Sequence, residues 1–161
     1  MKLADPLNCS VAATLEIIGE GWTLLIIREA FLGTRRFADF QHHLGIARNI
    51  LSDRLKKLTR HGILKRAPIG PGAKRHDYRL TEKGRELLPL LVALTQWGDR
   101  WINPDSAPLT MIDRRDGKPI RPLRIQAADG RPLTLHDLAL APGPGATEAT
   151  RTRLKTLRDE H

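Results

Sequence analysis

Hydrophobic residues recur at intervals of three and four between residues 46 and 61, and polar or basic residues fill the positions between them. This spacing predicts an amphipathic helix, because an α-helix returns to the same side about every 3.6 residues. The side expected to pack on a core carries Ile46, Ile50, Leu51, Leu55 and Leu58. The side expected to face outward carries Arg48, Asn49, Ser52, Asp53, Lys56 and Arg60.

Two short apolar runs follow this helix and predict a β-hairpin. Gly62 ends the helix, and residues 63–67 and 77–80 flank a turn-rich, positively charged loop at 70–76. A basic helix that leads directly into such a hairpin is typical of a winged helix-turn-helix. We therefore expect a mainly α fold with a small β-hairpin wing, in the α+β class, followed by a C-terminal extension that contains β-hairpins.

Three further helices are predicted before the basic one. The first is short and amphipathic, with Asn8 or Ser10 as its N-cap and with Val11, Leu15 and Ile18 on one side. Residues 22–32 are apolar almost all round, so this helix is expected at the centre of the core. Residues 36–44 predict a short helix that ends in a tight turn at Gly45.

After the wing, the sequence predicts one long helix from about residue 82 to 102, capped by Thr81 and bent by Pro89. Its apolar stripe is broader than one molecule of this size needs, so we expect a partner helix and a homodimer. The simpler alternative, packing on the helix at 22–32, accounts for part of the stripe. The expected dimer interface comprises Val11, Leu15, Leu87, Leu91, Leu94, Trp97 and Trp101.

The character of the sequence changes beyond residue 103. Residues 116–120 and 129–133 repeat an Asp-Gly turn followed by a basic residue, proline and an aliphatic residue, which predicts a repeated unit of turn and strand. We expect three parts: residues 1–103 form the winged helix-turn-helix and dimerisation domain, residues 104–146 a small β-rich extension, and residues 147–161 a charged, poorly anchored tail that can be helical.

The positive charge is concentrated in one segment. Residues 28–86 hold 15 Lys or Arg and 6 Asp or Glu, whereas the rest of the chain holds 12 of each, so the net charge of +9 comes from this segment. Such a concentration favours nucleic-acid binding over a merely solvated basic face. An aromatic content of 4% favours double-stranded DNA over a single strand, which needs stacking rings.

Several motifs in series resemble the HxlR-type family of bacterial winged-helix transcriptional regulators. They lie at residues 9–12, 18–28, 36–40, 46, 51–58, 78–84, 97–98 and 101. The resemblance implies a homodimer built through the N-terminal and C-terminal helices, with helix 46–61 in the DNA major groove and the wing along the backbone. It also implies repression or activation of nearby genes.

The candidate DNA contacts divide into two kinds. Arg48 and Asn49 are expected at base edges, because Arg can bond guanine and Asn adenine through two hydrogen bonds each, and Ser52 and Lys56 lie further along the Arg48 side. Expected phosphate contacts are Arg36, Arg54, Lys74, Arg75 and His76. An internal ion pair of Arg54 with an acidic neighbour such as Asp39 stays open. A symmetric dimer predicts a palindromic operator.

The single cysteine, Cys9, excludes an internal disulfide and a Cys-rich zinc site. In some members of the resembled family a cysteine at this place senses electrophiles or oxidants. The alternative is a small residue that only packs. Many relatives carry Cys-Gly pairs where this chain has Asp116-Gly117 and Asp129-Gly130, so we expect no metal and no cofactor.

Other functions have weaker support in the sequence. No GxSxG, HExxH, phosphate-loop or paired-carboxylate pattern occurs, so we do not expect an enzyme. A protein-interaction module that uses the basic face is the main alternative to DNA binding. A small-molecule effector could bind near Trp22, Trp97 and Trp101. The chain contains no run of about 18 apolar residues and no apolar signal-peptide core at its start, so we expect a cytoplasmic protein without membrane contact.

Overall fold

The computed structural model describes residues 9–68 and 76–159 of the chain. Their elements are α1 (Ser10–Ile18), α2 (Gly21–Phe31), α3 (Phe37–Leu44), α4 (Arg48–Arg60), β1 (Leu64–Pro68), β2 (His76–Leu80), α5 (Glu82–Arg85), α6 (Leu88–Trp101) and α7 (Glu148–Asp159). β1 and β2 pair antiparallel, with Leu64 opposite Leu80 and Pro68 opposite His76. This order of elements confirms the predicted α+β winged helix-turn-helix.

The chain forms two compact units, and the division does not follow the sequence in a single cut. The first unit contains the described residues up to Arg85 together with those from Ala139 onward, and the second is Glu86–Leu138. α6 thus belongs to the same unit as the extension that follows it, whereas α7 belongs to the first unit. The predicted domain division at residues 103 and 146 stays a prediction.

The core of the first unit is built around α2, as the sequence predicts. Ile26 and Ile27 of α2 are fully buried, and so are Phe40 of α3 and Leu51 of α4. Removing such side chains from water is the main favourable contribution to folding, at roughly 1.5–3 kcal/mol for each. α2 is not covered along its whole length, because Trp22 at its start is 40% exposed.

Two glycines let the chain turn at the ends of α3 and α4. Gly45 and Gly62 have φ values of 60° and 68°, a left-handed conformation that glycine adopts without a steric cost. The end of α4 is also tied to the end of the wing, because the Thr81 hydroxyl donates to the Gly62 carbonyl at 2.5 Å. The same hydroxyl accepts a hydrogen bond from the Gly84 N–H at 3.0 Å, which confirms Thr81 as a helix cap.

The predicted single helix from 82 to 102 is wrong. The chain forms α5 and α6 instead, and it turns at Glu86 and Leu87 between them. Pro89 lies in the first turn of α6 and not in the middle of a bent helix. The physical reason is that proline has no N–H to donate to the carbonyl four residues earlier, so it is tolerated where a helix begins and not inside it.

The N-cap of α1 also differs from the expectation. Cys9 holds the capping position, and its Sγ accepts a hydrogen bond from the Val11 N–H at 3.4 Å. Ser10 is the first helical residue, so it is not the cap, and Asn8 lies outside the described residues. Sulfur is a weak acceptor, which is why a sequence rule that favours hydroxyl and amide caps misses this residue.

The extension keeps the predicted turns but not the predicted strands. Gly117 and Gly130 have φ values of 70° and 82°, and the carboxylates of Asp116 and Asp129 each accept a hydrogen bond from the N–H two residues later, both at 3.0 Å. The paired segments meet only through single bridges, Ile112 with Pro119 and Gln126 with Pro132. Each bridge includes a proline, which cannot donate to a sheet, so longer strands do not form.

The C-terminal segment is helical, as the prediction allows. It is better anchored than expected, because Leu154 of α7 is buried.

Among the described residues, no single helix is long and apolar enough to cross a membrane. α1 and α2 reach the required length and apolar composition only when they are taken together, and the chain bends by 78° at the break between them.

Candidate nucleic-acid interface

The two sides of α4 differ sharply in exposure. Leu51, Leu55 and Leu58 are at most 1% exposed and form the inner side. The outer side is polar and basic, and it exposes Arg48, Asn49, Asp53, Lys56 and Arg60, with Ser52 half-buried among them. The division follows the three- and four-residue spacing in the sequence, since those intervals place side chains on one side of a helix. Within the described residues 9–68 and 76–159, the outer side of α4 is therefore accessible to another molecule.

Arg48, at the first position of α4, is held by a neighbouring ring. Its guanidinium carbon lies 5.4 Å from the centre of the Phe37 ring, at the start of α3. This is a cation–π arrangement, which limits the conformations of a long flexible side chain. Ala47, the N-cap of α4, has no side-chain oxygen, and no described side chain caps this helix. The start of α4 thus combines a fixed cation with uncapped backbone N–H groups.

A cleft of about 510 Å³ lies between the outer side of α4 and the wing. It is lined by Phe37, Ser52, Leu55, Lys56, Thr59, Arg60, Arg66 and Tyr78. Arg66 belongs to β1 and bonds the Nδ1 of His76 at 3.1 Å, so the two wing strands share a polar contact. Arg66 is not among the residues predicted from the sequence, because its position directly opposite Tyr78 is evident only from the paired strands.

The predicted phosphate contacts are placed unequally. Arg36 is exposed at the N-cap of α3, and it lines a second depression of about 460 Å³ together with Arg35, Asp39 and Asp77. His76 is half-buried at the start of β2. Lys74 and Arg75 lie outside the described residues. Of the predicted phosphate contacts, Arg36 thus lies at the start of α3 and His76 at the start of the second wing strand.

Arg54 forms the internal ion pair that the sequence left open, but with a different partner. It pairs with Glu20, at the junction of α1 and α2, and not with Asp39. The Glu20 carboxylate also accepts a hydrogen bond from Lys57 at 3.1 Å. That bond and the charges of Arg54 and Lys57 outweigh the opposing effect of burial and hold the pKa of Glu20 below its ordinary value of 4.5. Arg54 and Lys57 therefore fasten α4 to the rest of the unit.

A buried carboxylate fixes the turn between α2 and α3. Glu29 is 6% exposed, and it accepts hydrogen bonds from Arg28 at 2.9 Å and from the Thr34 hydroxyl at 3.0 Å. The Nδ1 of His43, near the end of α3, lies 3.2 Å from the same carboxylate. Burial raises the pKa of Glu29, but the bonds from Arg28, Thr34 and His43 outweigh it, so the pKa is below 4.5. The sequence pattern does not predict this cluster, because Glu29 and His43 are 14 positions apart.

The residues predicted for a dimer interface are largely uncovered in the single chain. In α1, Val11 and Leu15 are exposed. In α6, Leu94, Trp97 and Trp101 are exposed and Leu91 is half-buried, as is Leu87, the N-cap residue before this helix. Several large apolar side chains are thus exposed to solvent along these two helices.

The described residues contain no group of three or more His, Cys, Asp or Glu side chains placed to hold a metal ion. His42 and His43 are both exposed neighbours in α3, and only His43 contacts Glu29 among the bonds described above. Their adjacent positions point about 100° apart on the helix, as expected from about 3.6 residues per turn.

Comparisons with known proteins give consistent results. The family model described as HxlR-like helix-turn-helix matches residues 17–106. The uncharacterised HTH-type transcriptional regulator Rv3095 of Mycobacterium tuberculosis is 42% identical over 84% of this chain and 87% of its own length. PA1607, named as a candidate transcription factor, superposes with a TM-score of 0.78 at 44% identity, over 83% of this chain and 94% of its own.

A shorter solved structure matches only part of the chain. The redox regulator HypR in its reduced form has a TM-score of 0.53 and 28% identity, and the match covers 98% of HypR but 60% of this chain. A regulator with this fold can thus lack a counterpart to a large part of the present chain.

Proposed function

We propose that this chain, which belongs to the HxlR-like helix-turn-helix family of transcriptional regulators, binds a specific double-stranded DNA sequence as a homodimer. The carrying observation is the outer side of α4, where Arg48, Asn49, Lys56 and Arg60 are exposed above a fully buried leucine row. A helix of about 10–12 Å diameter fits the major groove, where base edges differ between all four base pairs. A DNA-binding regulator of this bacterial family would act in the cytoplasm, where the DNA lies.

Arg48 and Asn49 are the proposed base contacts, because they lie in the first turn of α4 and are exposed. Ser52 and Lys56 continue the same side toward the wing, and Arg60 and Arg66 line the cleft beyond them. Arg36, Lys74, Arg75 and His76 are the proposed phosphate contacts, which position the protein without reading sequence. Arg54 is left out of this set, because Glu20 already occupies its guanidinium.

The proposed dimer uses the exposed apolar residues of α1 and α6. Burying them against a second copy would remove several large side chains from water. A twofold dimer presents two copies of α4 to two half-sites, so the operator should be palindromic, with half-site centres about 34–36 Å apart.

Selection of bound fragments from a random DNA pool tests this proposal. We expect enrichment of a palindromic sequence and binding that weakens as the salt concentration rises. The alternative function, a protein-interaction module that uses the basic face, predicts salt-dependent retention on heparin but no enriched sequence. Absence of enrichment over several rounds would favour that alternative.

Control by thiol oxidation is a second proposal, and the position of Cys9 favours it. Its Sγ accepts a hydrogen bond from the N–H of Val11, the second residue of α1, so the thiol lies at the N-terminal end of this helix. Cys9→Ser keeps a capping atom but removes the thiol, so it separates the two roles. We expect an oxidant to change the DNA affinity of the native protein and not that of Cys9→Ser. The same response in both proteins would leave Cys9 as a packing residue.

A further inference from the structure

A groove of about 640 Å³ lies between α6 and the extension, entirely within the second unit. Its volume is within the range of about 300–1,000 Å³ that small-molecule sites occupy. Its apolar walls are formed by Trp97, Trp101, Leu109, Met111, Ile120 and Leu123. The family match ends at residue 106, so the wall that the extension supplies lies outside it.

The groove has a defined shape, because hydrogen bonds hold the extension against α6. The side chain of Gln96 donates to the Arg121 carbonyl at 3.3 Å and accepts from the Leu123 N–H at 2.8 Å. The Ile120 N–H donates to the Met111 carbonyl at 3.0 Å, which closes the opposite wall. These hydrogen bonds therefore fix the positions of the groove walls, while Trp97 and Trp101 stay 59% and 63% exposed. Such exposed rings in a concave surface favour contact with a flat apolar molecule.

A cation, Arg100, lines the groove. The guanidinium carbon of Arg100 is 4.9 Å from the centre of the Trp101 ring, and no ion pair joins Arg100 to another described residue. Intervals of three and four residues put Arg100 on the same side of α6 as Gln96 and Trp97. Asp99 also lines the groove, and it lies about 100° around the helix from Arg100. The lining thus places the Arg100 guanidinium beside the Trp101 ring, a pair that is complementary to an anionic group on an aromatic body.

We infer that this groove binds a small aromatic carboxylate, whose ring contacts the two indoles and whose anionic group bonds Arg100. Trp97 and Trp101 also belong to the proposed dimer surface, so they lie at the border of both contacts. A ligand against one edge of these rings changes how the other edge packs on a second copy. This link to regulation rests on the proposed function, whereas the binding itself does not.

Calorimetry on the full-length protein without DNA tests the binding, with 1-naphthoate as the probe and the neutral 1-naphthamide as its matched control. We expect saturable binding of 1-naphthoate at one site per chain, weaker by about tenfold or more for 1-naphthamide because the charged hydrogen bond is lost. Arg100→Gln should weaken 1-naphthoate by about tenfold and change 1-naphthamide by less than about twofold. Arg124→Gln, an exposed arginine outside the groove, should change neither.

Tryptophan fluorescence locates the site. The quenching by 1-naphthoate should persist in Trp22→Phe and decrease in Trp97→Phe, since Trp22 is not part of the groove. Circular dichroism spectra of all variants should match the native spectrum, because the replaced side chains are exposed.

Three results would overturn the inference. The first is the absence of saturable binding, and the second is equal affinity for the acid and the amide, or for native protein and Arg100→Gln. The third is binding to diluted monomer but not to the dimer, which would mean that a second copy fills the groove. Failure of the DNA selection would leave all three readouts interpretable, because none of them uses DNA.

Discussion

The first unit and the extension use their apolar residues in opposite ways. Around α4 the leucines are buried and the cations are exposed, so the outer surface is suited to a polyanion. In the extension large apolar side chains such as Ile125 and Leu135 are exposed, and turns closed by hydrogen bonds to backbone and Asp oxygens hold the chain. The comparison shows that one part of the molecule is stabilised by burial and the other by local hydrogen bonding, and that each therefore offers a different kind of surface.

Truncation of one leucine in each region sharpens this contrast and gives the largest expected effect. Leu51→Ala removes a fully buried side chain from α4, so it should lower the free energy of unfolding by about 2–5 kcal/mol. Leu135→Ala acts on a side chain that is 82% exposed, so the change should stay within about 0.5 kcal/mol. Urea unfolding measures both. Equal losses in the two variants would contradict the contrast.

The buried carboxylate of the first unit predicts a pH dependence. Because the pKa of Glu29 is lowered by folding, its contribution to stability is present above pH 4.5 and is lost as the pH falls through the lower folded-state pKa. Glu29→Gln should therefore lower the free energy of unfolding by about 1–3 kcal/mol at neutral pH, and by less at acidic pH. The exposed Asp53→Asn serves as the control. A difference that stays constant between neutral pH and about pH 4 would show that the charge of Glu29 does not matter.

Substitution of two cations in the proposed DNA interface should distinguish base contacts from phosphate contacts. Arg48→Ala should cost about 1–3 kcal/mol at one base position and relax selectivity there. Lys74→Ala should weaken all sequences alike and lower the salt slope by about one unit. Fluorescence anisotropy with the selected operator, single-base variants of it and random DNA measures both quantities. If Arg48→Ala lost the same affinity for operator and for random DNA, Arg48 would be a contact to the DNA backbone and not to a base.

The smallest effect is expected from a turn of the extension. Gly130→Ala places a side chain at a φ of 82°, which should cost about 1 kcal/mol in that unit. Gly143→Ala is the matched control, because a Cβ there meets no atom within 4 Å and its φ lies outside the left-handed region. Neither change should alter DNA affinity, and a loss of operator binding by Gly130→Ala alone would contradict the separation of roles.

The sequence predicts the wing and α4 well because local rules govern both. The spacing of Leu51, Leu55 and Leu58 fixes which side of α4 is buried, and Gly45 and Gly62 mark its turns. The Asp-Gly turns of the extension are also local, and they form as predicted.

The features that the sequence did not predict have two physical origins. Some depend on a partner that is distant in the sequence, and others on a local cost that competes with the predicted element. Glu20 pairs with Arg54, which is 34 positions later in the sequence, and Glu29 contacts His43, which is 14 positions later. Neither contact therefore produces a local sequence pattern. The break before α6 follows from a missing N–H at Pro89, whose effect depends on where the helix begins. The extension lacks strands because its bridges fall on prolines.

Base analogues in the selected operator test the central claim most directly, since they distinguish the two grooves of DNA. Replacing guanine by 7-deazaguanine removes the N7 acceptor in the major groove, and replacing it by inosine removes the amino group in the minor groove. If the outer side of α4 lies in the major groove, 7-deazaguanine at one position should weaken the native protein by about tenfold and leave Arg48→Ala unchanged, with inosine nearly neutral. Weakening by inosine with no effect of 7-deazaguanine at any position would contradict the account.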